Sequence, residues 1–391
     1  MSTNNLTYSG SGVNYDNMDP FKISAQIAAR VTARMLERFG FSEIEWSRGE
    51  SAYLIDCIDF IIAIVEEGLG TKNRVANAMH KLTGKVYDAA VSKDTIAMIV
   101  NDMITLGALP MVVAMHLAVG DSAWFNDKER SEAIIKGWKE ACIEAGCTWG
   151  PGETPTLKQI IYPGEAVMSG SAVGIIKNRN KMITPRIADG DAMMFFESSG
   201  IHANGLTLAQ LIATRKDPFF RKLLHLFFPK QFPLQELTHG YLTKLSNGES
   251  YGEALLKPTH LYVKFIEDCM NTGIDIHYLV NITGHGWRKL MRARETFTYV
   301  VEELPTQLPI FAFIEEHGPV TKKESYGNLN KGVGFAMYIP QSDVSKVLEL
   351  AKTTSTPYRV YKAGFISKSD TKKVIIKPEG IEFSEKELQV R

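Results

Sequence analysis

The chain has 391 residues, too many for one ordinary core, and suits two domains. Lys plus Arg and Asp plus Glu number 44 each, so the formal charge is zero and the basic face needed for broad nucleic-acid binding is not expected. No apolar run reaches the roughly 18 residues of a membrane helix, and the polar N-terminal stretch has no secretory pattern, so a cytoplasmic protein without membrane contact is expected.

In chain order, apolar residues recur every fourth position from Ile23 through Ile27, Val31 and Met35 to Phe39, which predicts an amphipathic helix over 21–39 stopped by Gly40. A strand over 61–65 follows and runs into the turn EEGLGTK. Helices are predicted over 74–82, 93–106 and 128–145, each closed by a glycine. Strands are predicted over 111–118 and 167–176. The basic, proline-containing stretch KNRNKMITPR then separates domain 1–178 from domain 179–391. Strands and helices alternate again beyond it, which implies a mixed α+β or α/β fold in both halves. Residues 217–252 read as an insertion. The four cysteines show no metal spacing and are expected to be reduced.

Several loops carry chemistry. Glu66 and Glu67 lead from a strand into Gly68, Gly70, Thr71 and Lys72, a set that can hold Mg²⁺ and phosphate oxygens, although a plain polar turn reads equally well. The GxxxxGK[ST] phosphate loop is absent. Asp102 interrupts a strongly apolar helix and needs a partner, a metal or a cleft. Asp94, two turns earlier, either leans to the same side or caps the helix. Gly152, Glu153 and Thr154 form a glycine-flanked turn. His202 and Asn204 lie between a strand and a new helix, whose free N–H groups suit a phosphate. TGHGW and NKGVGF are further small-residue loops.

In this order the motifs resemble the phosphoribosylformylglycinamidine cyclo-ligase (aminoimidazole ribonucleotide synthetase) family. VNDMITLGALP is similar to its Asp-x4-Gly-Ala-x-Pro signature through Asp102, Gly107, Ala108 and Pro110. GCTWGPGETP, SSGIHANGLTL, LLKPTHLYVK, TGHGW and NKGVGF each resemble a further family segment. The resemblance implies a two-domain PurM-like subunit and a homodimer whose N-terminal strands close a shared barrel. It implies ATP with Mg²⁺ and a nucleotide substrate, formylglycinamidine ribonucleotide, cyclised through a phosphorylated amide in purine synthesis. By matching position it implies Glu67, Asp94 and Asp102 as metal ligands and His202, Asp102 and Lys72 as catalytic residues. It also implies nucleotide or substrate contacts at Gly12, Gly68, Gly70, Thr71, Lys72, Asp94, Gly152, Glu153, Thr154 and Asn204.

The chain departs from the family pattern where Glu67 replaces an Asp, Asn14 a charged residue, Pro151 a glycine, Gln210 an arginine and His285 the middle of a triple glycine. Two alternatives therefore stay open: another ATP-dependent enzyme of the superfamily, such as one resembling thiamine-monophosphate kinase, or a non-catalytic dimeric paralog.

Overall fold

The computed structural model describes residues 6–217, 219–231, 236–318 and 320–388. Its strands are β1 Ser42–Glu43, β2 Tyr53–Asp56, β3 Ile61–Gly68, β4 Leu109–Val119, β5 Thr148–Glu153 and β6 Ala166–Ile176 in the first half. The second half holds β7 Ala192–Glu197, β8 Tyr278–Asn281, β9 Phe297–Val301, β10 Val333–Ile339, β11 Val360–Lys368, β12 Lys373–Ile376 and β13 Ile381–Ser384. The strand order is β1-β2-β3-β6-β4-β5 in one sheet and β13-β12-β9-β11-β7-β10-β8 in the other. Pairing is antiparallel except for β4 with β5 and β9 with β12. The fold is therefore mixed α+β, built from two sheets in succession.

The helices that position the site are α1 Tyr15–Arg30, α2 Lys72–Thr83, α3 Asp88–Ile104, α4 Lys128–Ala145 and α5 Leu206–Thr214. Helix α3 lies between the two halves. It packs on β3, β4 and β6 of the first sheet and touches β8 of the second. Every residue from 94 to 104 is buried, so this stretch of α3 has no solvent face, and each polar group on it must find a partner. One apolar core runs from Ile61 and Ile99 through to Phe196 and Phe335, joining both halves. A second core, around Trp287 and Tyr338, fills the far face of the second sheet. Gly107 ends α3 at φ +82, where an added Cβ would meet the Lys181 carbonyl oxygen.

The predicted helix over 21–39 is reshaped. α1 starts earlier, at Tyr15, and a 3-10 segment, Ala33–Phe39, replaces its last turns. Its apolar stripe is not core: Phe21, Ile27, Val31 and Phe39 stay exposed. A period of four reports a one-sided helix but not what covers that side. All four cysteines are free. No helix among the described residues is long and apolar enough to cross a membrane. Within the expected insertion, residues 218 and 232–235 lie outside the described residues, and the described part includes a helix at Phe219–Phe227.

Candidate functional site

A cavity of about 680 Å³ opens between the two halves. Its first wall comes from the end of β3 and the turn after it. The β-branched run of β3 alternates between core and surface until Glu66 and Glu67, and Gly70, at φ +76, then turns the chain into α2. Glu67, Gly68, Gly70 and Thr71 all line the cavity. Opposite, Gly205 takes φ +86, and α5 starts with Leu206 and Thr207 on the cavity surface. An added Cβ at Gly205 would collide with Leu329. The Thr71 and Thr207 hydroxyls are 3.2 Å apart, and the Gln210 amide donates to the Thr71 carbonyl (3.0 Å) and hydroxyl (2.8 Å). The N-termini of α2 and α5 thus meet at one place, where the first N–H groups of each helix have no partner within the helix and the dipoles point toward the cavity.

Asp102 and Asn204 also reach this cavity. Asp102 accepts a 2.7 Å hydrogen bond from the Asn281 side chain on β8. Burial is the main cause that pushes the Glu67 carboxyl up to about 7; Asp102 adds to it and Lys289 opposes it. Since this value lies above the ordinary 4.5, protonated Glu67 favours the fold. That contribution is complete below pH 4.5 and is lost as pH rises through about 7. Glu67→Gln is therefore expected to flatten the stability–pH curve in that window. Thermal melts across a buffer series measure it, and an unchanged slope would refute the account.

Other residues expected at the site lie elsewhere. Asp94 and Lys72 are fully buried and form a 2.7 Å ion pair with each other. The Lys72 ammonium also donates to the carbonyls of His202 (3.1 Å) and Lys257 (2.7 Å). Asp94 in turn accepts from the backbone N–H (2.8 Å) and hydroxyl of Thr259. Burial holds the Lys72 ammonium below its ordinary value, with Asp94 opposing. Eight residues along α3 separate Asp94 from Asp102 by about 12 Å, too far to share one ion. Asp94 is no helix cap either, because it sits inside α3. His202 is buried with φ +59; its Nε2 accepts from the Ser199 N–H (3.3 Å), and burial drives its pKa well below the ordinary value. It braces the loop that leads to α5 and does not line the cavity.

Gly12 is exposed at φ +98, one residue before the cavity-lining Val13. Gly152 and Glu153 line a separate cavity of about 570 Å³, with His116 and Ser169, on the outer side of the first sheet. Thr154 follows β5 and is exposed.

The cavity also gathers residues not singled out from the sequence: Tyr15, Lys22, Lys289 and Arg292. Tyr15 stacks on His285 with ring centroids 3.5 Å apart, and its hydroxyl accepts from the His285 N–H (3.2 Å). His285 has φ +69, a conformation that suits glycine, so the stacking accounts for a side chain at that position. Burial, with Arg288 and Lys289, pushes the His285 pKa down to about 2 and keeps the ring neutral.

Among the described residues, no three acidic, histidine or cysteine side chains gather to hold a metal ion. Four carboxylates line the cavity, Glu50, Glu66, Glu67 and Asp102, and the charge of Asp102 acts on Glu67, which makes those two a pair. That pair fits Mg²⁺, which takes its remaining oxygens from water and phosphate.

Residues 61–176 match the family model of the AIR synthase related protein, N-terminal domain, which sets the class of the first half. The phosphoribosylformylglycinamidine cyclo-ligase of Methanocaldococcus jannaschii is 32% identical over 359 residues, 91% of each chain. That of Carboxydothermus hydrogenoformans is 29% identical over 95% of this chain and 98% of its own. The chain belongs to the phosphoribosylformylglycinamidine cyclo-ligase family. Among solved structures, the HypE–HypF complex aligns with a TM-score of 0.55 at 16% identity, over 86% of this chain and 92% of the other. AaThiL complexed with AMPPCP and TMP aligns with a TM-score of 0.51 at 14% identity, over 86% and 90%. These two likenesses concern the fold alone, and the fold is PurM-like.

Proposed function

We propose that the chain closes the imidazole ring of aminoimidazole ribonucleotide from formylglycinamidine ribonucleotide at the expense of ATP, as a cytoplasmic enzyme of purine synthesis. The observation that carries this reading is the single cavity in which two helix N-termini face Glu67 and Asp102. Backbone N–H groups at Thr71 and at the start of α5 would receive phosphate oxygens, and Asn204 would orient the substrate beside them. The γ-phosphate passes to the formamide oxygen, which makes a poor leaving group a good one. The amidine nitrogen then attacks the formamide carbon, and inorganic phosphate leaves. Glu67 and Asp102 would hold Mg²⁺, which when bound offsets charge on the phosphate oxygens. Lys72 and Asp94 would act from behind, by fixing the Thr71 turn and the His202 loop against each other. The test is ADP formation by the purified chain with Mg²⁺-ATP. Release that depends on formylglycinamidine ribonucleotide supports the reading, and equal release without it refutes it.

The same reading includes a homodimer. On the outer face of the first sheet, Ile64 and Val112 both pair with Val173. Ile64 is 37% and Val167 41% exposed on that face, an apolar surface that a second copy would bury. Light scattering is expected to give a dimer for the unaltered chain and a monomer for Ile64→Asp. A monomeric unaltered chain would refute the dimer.

A further inference from the structure

We propose that Lys289 competes with the divalent cation for the Glu67–Asp102 pair, so that the site takes up metal together with a nucleotide and only weakly alone. The inference rests on the nucleotide-site reading above and goes beyond it, because it assigns a residue to the control of metal uptake.

Two carboxylates that share a low-dielectric cavity repel each other and need a positive charge nearby. Three cations line this cavity, Lys22, Lys289 and Arg292, and the first is drawn away from it. Lys22 pairs with Asp19 at 3.0 Å. Arg292 is held at the rim by the Gly49 carbonyl (2.8 Å) and the Ser51 hydroxyl (2.9 Å), 3.8 Å from Glu50, and acts on Glu67 less than Lys289 does. Lys289 lies on the 3-10 turn Gly286–Met291, whose Trp287, Leu290 and Met291 are locked into the second core. That packing leaves the Lys289 stem directed into the cavity, and the residue is only 8% exposed. Its ammonium donates to the Asn281 carbonyl (3.4 Å) and to the Thr283 hydroxyl. The Asn281 side chain donates in turn to Asp102. One residue on β8 therefore anchors both the ammonium and the carboxylate. The electrostatic influence is mutual: Lys289 lowers the Glu67 pKa, while Asp102 and Glu67 raise that of Lys289 against a larger effect of burial.

With no nucleotide present, a free divalent ion approaching the acid pair meets the repulsion of this nearby ammonium. A triphosphate brings its own negative oxygens, which give the ammonium a new partner and the metal further ligands. Metal and nucleotide should then bind with positive coupling.

The test is Mn²⁺ binding to the metal-stripped full chain, followed by electron paramagnetic resonance, with and without a non-hydrolysable ATP analogue. Lys289→Met keeps the stem and removes the charge. It is expected to bind Mn²⁺ alone about tenfold more tightly than the unaltered chain. Lys289→Arg should stay as weak as the unaltered chain. A Met variant that binds Mn²⁺ alone no more tightly overturns the proposal. A second measurement needs no variant: the analogue should tighten Mn²⁺ binding to the unaltered chain, and equal affinity with and without it overturns the proposal. Turnover is scored separately. The expected metal pattern without any substrate-dependent ADP release refutes the cyclo-ligase reading alone, and turnover without the metal pattern refutes only the role of Lys289.

Discussion

Lys72→Met is expected to cost about 3–5 kcal/mol of stability, the usual result of leaving one partner of a buried ion pair unpaired. Asp94 would keep only Thr259, inside a stretch of helix with no solvent face. The carbonyls of His202 and Lys257 would each lose a donor as well. Because these groups come from both halves, the loss should appear as one cooperative shift in melting, on the order of 10 °C. The double variant Lys72→Met with Asp94→Leu should melt above the single one, since no bare charge remains. A single variant that melts with the unaltered chain would show that the pair does not hold the halves together.

The second large effect concerns chemistry. Asp102→Asn keeps an acceptor for the Asn281 amide and nearly the same volume, so melting should move by no more than about 3 °C. Removing the charge takes away one carboxylate of the Glu67–Asp102 pair proposed to hold the metal. The expected fall in kcat/KM is about 10³-fold, the range for losing a charge-stabilising group at a transition state. Turnover within about threefold of the unaltered chain would remove Asp102 from the proposed metal site.

Much of the fold could be read from local pattern. The β-branched run before EEGLGTK announced β3, and glycines at 84, 107 and 146 announced the ends of three helices. Asp102 attracted notice because its neighbours on the helix are apolar, and the structure places it on the cavity wall. Asp94 had the same helical spacing but a different surrounding. In a stretch of helix buried all round, position along the axis decides which partner a carboxylate meets, and the partners Lys72 and Thr259 come from distant sequence. Lys289 and Arg292 were illegible for the opposite reason. The run RKLMRAR looks like a solvated basic surface, and only the packing of Trp287 and Met291 shows which way its cations face. The stripe on α1 gave the right amphipathic pattern without its environment, because a repeat of four is the same whether the protein's own core or a neighbour covers it.

The segment ahead of α1 and the first residue of that helix are tied to distant sequence: the Leu6 N–H donates to Gly318 and the Tyr8 N–H to Glu324, while Tyr15 lies on His285. During synthesis these first residues leave the ribosome some three hundred positions before their docking partners exist. The nascent chain must carry this stretch undocked while the first sheet assembles, and the pocket wall is complete only once Arg292 has been made.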